Sequence, residues 1–189
     1  MTVCLDEMGP ESAKSVRGVQ VVRRDERAVQ EIDYGRRGKG YVFGAFQPAD
    51  GAALTQTYPR RTIANFVDFL EQVDAWIARD VQRVCAVLDN LSAHRAKDVL
   101  LFSLAHPRWE FVFQPKYAAY LNLIEPWWKV LRSLALKGQR FETWHAVEQA
   151  VQRATVYWNQ HRHPFIWGKQ RTRRHVHRSS GIALCPNVT

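Results

Sequence analysis

The 189-residue chain is 46% hydrophobic and 12% aromatic, which is enough for a full core and excludes a largely disordered chain. A formal net charge of +9 favours a polyanionic partner, most often nucleic acid. No apolar run approaches the roughly 20 residues that cross a bilayer, "MTVCLDEMGP" lacks the order of a secretory leader, and three cysteines without a C-x-x-C pair exclude a disulfide framework or zinc knuckle.

In chain order, Val3 to Asp6 is a short apolar run that counts as a first strand. "GVQVVRRDE" (18–26) reads as a second. "KGYVFGAFQPADGAA" (39–53) reads as a third, with Pro48 to Gly51 as a turn. Between the last two lies a glycine-rich basic loop, "DYGRRGKG". Ile63, Phe66, Val67, Leu70, Val73, Trp76 and Ile77 recur at spacings of three and four, which predicts an amphipathic helix with Thr62 as N-cap. A fourth strand covers 83–88, a helix follows in "AKDVLLFSLAHP" and ends before Pro107, and "WEFVFQP" reads as a fifth strand. "LNLIEPWWKVLRSLAL" opens another helix, with Pro126 in its first turn, and "ETWHAVEQAVQRATVYWNQ" is an amphipathic helix broken by "HRHPFIW". Beyond Glu148 the chain carries seven Arg or Lys residues and no acid.

The first three strands suit an antiparallel meander. The last two are joined by a helix and should be parallel with a right-handed crossover. The expectation is an α/β domain with a mixed five-stranded sheet and helices on both faces.

Three acids share one kind of position. Asp6 ends the first strand, Asp89 ends the fourth in "CAVLDN", and Glu125 opens a helix. If the first and fourth strands are parallel neighbours, Asp6 and Asp89 lie side by side at one sheet edge, and a helix crossing it brings Glu125 to face them. Three clustered carboxylates repel and are expensive to desolvate. A hard divalent cation compensates best: Mg²⁺ takes oxygen ligands and keeps water for substrate phosphates. Two such ions roughly 3.5–4 Å apart flank a phosphodiester, one at the attacking and one at the leaving oxygen. Asn90 and Asn122 are expected to tie down backbone near the acids, and His94 to stabilise the turn, with orienting Asp89 or approaching a phosphate as its alternatives. "HRH" and "HVH" match no closed zinc spacing. At least one of Trp127 and Trp128 should be core. Lys116, Lys129 and Arg132 flank the third acid as phosphate-positioning groups. Arg36, Arg37 and Lys39, with Arg171, Arg173 and Arg174 in the tail, are candidates for salt-sensitive DNA-backbone binding.

"VCLDEMGP", "VLDNLSAHRA" and "PKYAAYLNLIEPWWKVLR" together resemble the catalytic domain of DDE-type transposases, specifically the mariner-like bacterial insertion-sequence family. On that resemblance Asp6, Asp89 and Glu125 match the family's three catalytic acids, and the 35 residues between the last two (125 − 89 − 1) are about the family's interval. It implies an RNase H-like domain over 1–160 with a basic C-terminal tail over 161–189, and two Mg²⁺ or Mn²⁺ ions. It also implies a transposase that cleaves transposon ends in DNA and transfers the freed 3′-hydroxyl to target DNA. The expected location is cytoplasmic, beside the nucleoid. Relatives have "YSP" where this chain has Tyr117, Ala118 and Ala119, and Pro where it has Leu123. They also carry a helix-turn-helix domain ahead of the first strand. Here that role falls to a separate DNA-binding chain, or the chain is a remnant; a homodimer is implied by the pairing of two ends. Two rival readings are a non-enzymatic DNA-binding remnant and a same-fold nuclease that does not join strands.

Overall fold

In the computed structural model, residues 1–15, 33, 37–91, 94, 96–115 and 122–165 are described. The elements are β1 (Thr2–Ser12), β2 (Lys39–Gln47), β3 (Ala52–Tyr58), α1 (Ile63–Trp76), β4 (Val84–Leu88), α2 (Lys97–Ala105), β5 (Trp109–Phe113), α3 (Ile124–Ala135) and α4 (Trp144–Gln160). The strands form one sheet in the order β3-β2-β1-β4-β5. β1, β2 and β3 pair antiparallel, whereas β4 pairs parallel with both β1 and β5. This is the mixed five-stranded sheet expected from the sequence, but its membership differs.

The predicted strand at 18–26 lies outside the described residues. The third expected strand is in fact two. Gly51, at φ +79°, turns the chain after Gln47, Asp50 Oδ1 accepts from the Ala52 amide at 3.0 Å, and β3 runs back along β2. "LTQTY" is easy to overlook because it is half polar. Its threonines face α4, where Thr55 and Thr155 hydroxyls meet at 2.8 Å and Thr57 donates to Glu148 at 3.2 Å.

β1 does not end at Asp6. It continues to Ser12 because β2 pairs with it along that whole length, from Cys4↔Phe46 to Ser12↔Lys39, with an irregularity between Met8 and Glu11. β4 pairs with β1 only through Thr2, Val3 and Cys4. Asp6 therefore sits in mid-strand, at the point where one neighbour has left and the other continues.

Helices cover both faces, so β1 is buried on both, with Val3 and Leu5 on one and Cys4 and Met8 on the other. One core packs α1 and α2 against the sheet through Phe66, Phe69, Leu70, Val73, Val99 and Phe102. Thr62 caps α1, its Oγ1 accepting from the Asn65 amide at 3.2 Å. The opposite core packs α3 and α4 through Ile124, Trp127, Trp128, Leu131, Val147, Val151 and Trp158. The α3 residues recur at i, i+3, i+4 and i+7, the spacing of one helical face. Residues just past α4 remain attached to this core: the Phe165 ring lies 4.9 Å from Phe46, and its amide donates to the Pro48 carbonyl at 2.9 Å.

Candidate active site

The register Thr2↔Cys85, Val3↔Ala86, Cys4↔Val87, continued by two residues, brings Asp6 level with Asp89 at the carboxyl end of β4. Asn122 joins α3 to the same place. It is buried, and its Nδ2 donates to the Leu5 carbonyl at 3.0 Å, just where β4 has parted from β1. Its own carbonyl accepts from the Glu125 amide at 3.0 Å. Glu125 thus enters the first turn of α3, where the helix dipole favours a carboxylate.

Alternation along β1 sends Asp6 toward α3. The indole Nε1 of Trp128 donates to Asp6 Oδ2 at 2.8 Å. That contact depends on Gly44, the residue opposite Asp6 on β2. A Cβ at Gly44 would lie 2.3 Å from Trp128 Cη2 and 3.1 Å from Ile124 Cδ1, so only glycine lets α3 lie this close to the sheet. Burial lifts the Asp6 carboxyl to about 6. Trp128 and the Glu7 amide offset part of that, and repulsion from Glu125 and Glu7 adds to it.

Asp89 behaves oppositely. A hydrogen bond from His94, and the Leu91 amide at 2.9 Å, hold it below the usual carboxylate range, with a smaller contribution from Arg61. His94 is 1% exposed. Its Nδ1 lies 2.9 Å from Asp89 Oδ1, its Nε2 lies 2.9 Å from Glu7 Oε1, and its ring packs 4.4 Å from Phe66. Burial alone would depress this imidazole; the Asp89 and Glu7 hydrogen bonds outweigh it and lift it to about 9. Asn90 Nδ2 donates to the Gln114 carbonyl, tying the loop after β4 to the end of β5.

The three predicted acids thus border one end of the sheet, with Asp6 and Glu125 within electrostatic reach of each other. Among the described residues, no three His, Cys, Asp or Glu side chains are gathered as a metal-holding group. The donor chemistry nevertheless fits a hard cation. Asp6 is a half-buried oxygen donor repelled by another carboxylate, and Mg²⁺ is commonly held by one or two carboxylates plus substrate phosphates rather than by an all-protein cage.

The basic candidates divide. Lys129 is exposed on α3 one turn after Glu125. Arg132, a further turn on, pairs with Glu11 at 3.0 Å and stays half-exposed. Arg37 reaches the Phe141 carbonyl at 2.9 Å and also engages Asp33 and Glu142, so it braces the chain before β2 against the α3–α4 connection. Lys39 pairs with Ser12 on β1, six residues beyond Asp6, or roughly 20 Å along the strand. Arg36, Lys116, Arg171, Arg173 and Arg174 lie outside the described residues.

Sequence reasoning missed Glu7, Gly44 and Arg61, and gave Trp128 no part in holding Asp6. Period-two alternation in "LDEM" carried a signal for Glu7, since it requires consecutive acids in a doubly covered strand to face different cores. Nothing in the local sequence pointed to Gly44 or Arg61, which depend on strand pairing and on the approach of α1.

A family model described as DDE superfamily endonuclease matches residues 1–148. An insertion element IS630 uncharacterized 39 kDa protein from Shigella sonnei is 23% identical over 106 residues, covering 56% of this chain and 31% of that protein. The fold resembles the mariner Mos1 paired-end complex with Mg at a TM-score of 0.63 and 18% identity, over 82% of this chain and 48% of that one. A Mos1 transposase paired-end complex with the left transposon end gives a TM-score of 0.55 at 16% identity, over 84% and 52%. The HTLV-2 integrase catalytic core domain in complex with magnesium gives 0.54 at 10% identity, over 84% of both chains. The chain thus spans under a third of the length of the curated relative and about half of the mariner protein.

Proposed function

The chain belongs to the DDE superfamily endonucleases, and from that premise we propose that it is the catalytic domain of a DNA transposase, with Asp6, Asp89 and Glu125 as its acidic triad. The observation that carries this reading is the pairing of unlike carboxylates at one sheet end. Asp6 is half-buried and its carboxyl raised, and it lies level with an Asp89 whose carboxyl is held low.

The chain's own residues divide the work. Asn122 and Gly44 bring α3 down onto β1, so that Glu125 comes within electrostatic reach of Asp6. Trp128 orients the Asp6 carboxylate, and His94 with the Leu91 amide orients that of Asp89. Lys129 lies one helical turn from Glu125, suited to a phosphate flanking the cut, while the basic residues of the 161–189 tail supply sequence-independent affinity for the DNA backbone. The triad's carboxylates would hold a pair of Mg²⁺ or Mn²⁺ ions, which would supply Lewis-acid polarisation of the phosphodiester and ease ionisation of the attacking water or hydroxyl. The first attack, by water, releases a transposon end; the second, by the freed 3′-hydroxyl, joins it to target DNA. No covalent enzyme–DNA intermediate is required. End recognition by a separate helix-turn-helix chain and pairing of two copies belong to the same proposal. Among the described residues, no helix is long and apolar enough to cross a membrane, and a DNA substrate places the chain with the nucleoid.

The test is nicking of supercoiled plasmid in Mg²⁺ or Mn²⁺, together with joining of a labelled duplex that carries a free 3′-hydroxyl. Wild-type protein should do both, and Asp89→Asn neither. Nicking without joining identifies a hydrolytic nuclease of the same fold. Salt-sensitive binding with neither reaction identifies a DNA-binding remnant, the reading that the lack of a three-residue metal group among the described residues favours. Equal nicking by Asp89→Asn removes Asp89 from the mechanism.

A further inference from the structure

β1 presents two consecutive acids, and only the first faces α3. Glu7 points through the opposite face of the sheet, and its side chain is just 3% exposed. A carboxylate so buried needs a partner with hydrogen-bond donors. Its partner is the fully buried His94 side chain, whose other ring nitrogen meets Asp89 Oδ1. Two carboxylate acceptors, one at each nitrogen, require a ring that donates from both. Asp89 itself is about half-exposed, and its Oδ1 is held by two donors, His94 Nδ1 and the Leu91 amide. The carboxylate plane is thereby fixed, with Oδ2 left to meet whatever approaches from solvent.

We propose that Glu7 and His94 form a positioning pair that sets the orientation of the Asp89 carboxylate from behind the sheet. Glu7 holds the imidazole, the imidazole holds Oδ1, and neither touches substrate. The inference rests on the reading of Asp89 as a metal-holding residue given above. It adds to that reading a role for the second acid of the "LDEM" strand and for the face of the sheet away from α3. Phe66 packs its ring against the imidazole, with the centroids 4.4 Å apart. A histidine that only stabilised the loop after β4 would need no acid on its far side.

Asparagine and glutamine separate the two functions of the ring. Asparagine's Nδ2 superimposes on Nδ1, so His94→Asn retains the donor to Asp89 and gives up Glu7. Glutamine's Nε2 superimposes on Nε2, so His94→Gln retains Glu7 and gives up Asp89. Both remove the same buried ring, so a merely structural role makes them equivalent. The measurement is Mn²⁺ affinity of the DNA-free protein, read from the electron paramagnetic resonance signal of free Mn²⁺, with Tm recorded alongside. Outer-shell partners of metal ligands commonly contribute 10–100-fold to affinity. His94→Gln should therefore weaken Mn²⁺ binding by about 10-fold, and His94→Asn by much less. Glu7→Gln, which preserves shape and is the variant surest to fold, should weaken it by several-fold at nearly unchanged Tm.

Equal Mn²⁺ affinity in the two His94 variants overturns the proposal, as does a Glu7→Gln variant that binds Mn²⁺ like wild type. Asp89→Asn, measured in parallel, distinguishes the two levels. If it binds Mn²⁺ normally, the reading of Asp89 fails and the positioning pair fails with it. If it loses Mn²⁺ while Glu7→Gln and His94→Gln keep it, only the positioning pair fails.

Discussion

Replacing Asp6 with Asn should abolish cleavage and make the protein more stable. The carboxyl rises from its ordinary 3.8 to about 6, chiefly through burial. Each unit of pKa difference between the folded and unfolded chain is worth about 1.36 kcal/mol, so at neutral pH the ionised side chain withholds roughly 3 kcal/mol from the folded state. In a chain of this size 1 kcal/mol moves Tm by about 2–4 °C. Asp6→Asn keeps an oxygen for the Trp128 indole and should melt about 6–12 °C higher at pH 7.5. The sign fixes a pH window. The unfolded carboxyl ionises near 3.8 and the folded one near 6, so wild-type stability from this group is present at pH 4 and is lost as pH rises through 6. The difference between variant and wild type should be small at pH 4, open between 4 and 6, and be complete at 7.5. Denaturation at three pH values, with and without Mg²⁺, measures it, and the cation should raise the wild-type Tm and leave that of the variant unmoved. A variant less stable than wild type at pH 7.5, or a difference that ignores pH, would refute the reasoning.

Two other perturbations follow from the contact between α3 and the sheet. Gly44→Ala places a Cβ 2.3 Å from the buried Trp128 ring; overpacking of this kind costs about 1–3 kcal/mol. Tm should fall, tryptophan fluorescence should shift, and cleavage should fall as Glu125 moves with its helix. Trp128→Phe keeps the ring but removes the donor to Asp6. The Asp6 carboxyl should then titrate at higher pH than in wild type, with about 1–3 kcal/mol lost. Carboxyl-carbon NMR of Asp6 reads the midpoint directly, and an unchanged midpoint would remove Trp128 as its partner.

Much of the fold was legible because its signals are local. Apolar spacing located α1 and α4, "AKDVLLFSLAHP" and "LNLIEPWWKVLRSLAL" were legible as the other two helices among the described residues, Thr62 was identifiable as a cap, and the helix between β4 and β5 implied their parallel pairing. What misled was partnership. Asp6-Glu7 looks like the end of a strand, yet β2 carries β1 on to Ser12; Thr55 and Thr57 look like loop, yet α4 gives each a hydrogen-bond partner. At the proposed site, Asp6, Asp89 and Glu125 stood out by type and position. The groups that aim them did not, because Gly44 matters only for the atom it lacks, and Glu7 only for the face its neighbour leaves to it.

The adjacency of Asp6 and Glu7 makes the amino-terminal strand intolerant of length changes. Side chains alternate with every residue, so a single insertion or deletion upstream of Asp6 would exchange the two acids between the tryptophan side and the histidine side. Neither would then find its partner. Frame-preserving indels should therefore be rare between residues 1 and 7 in any working homologue.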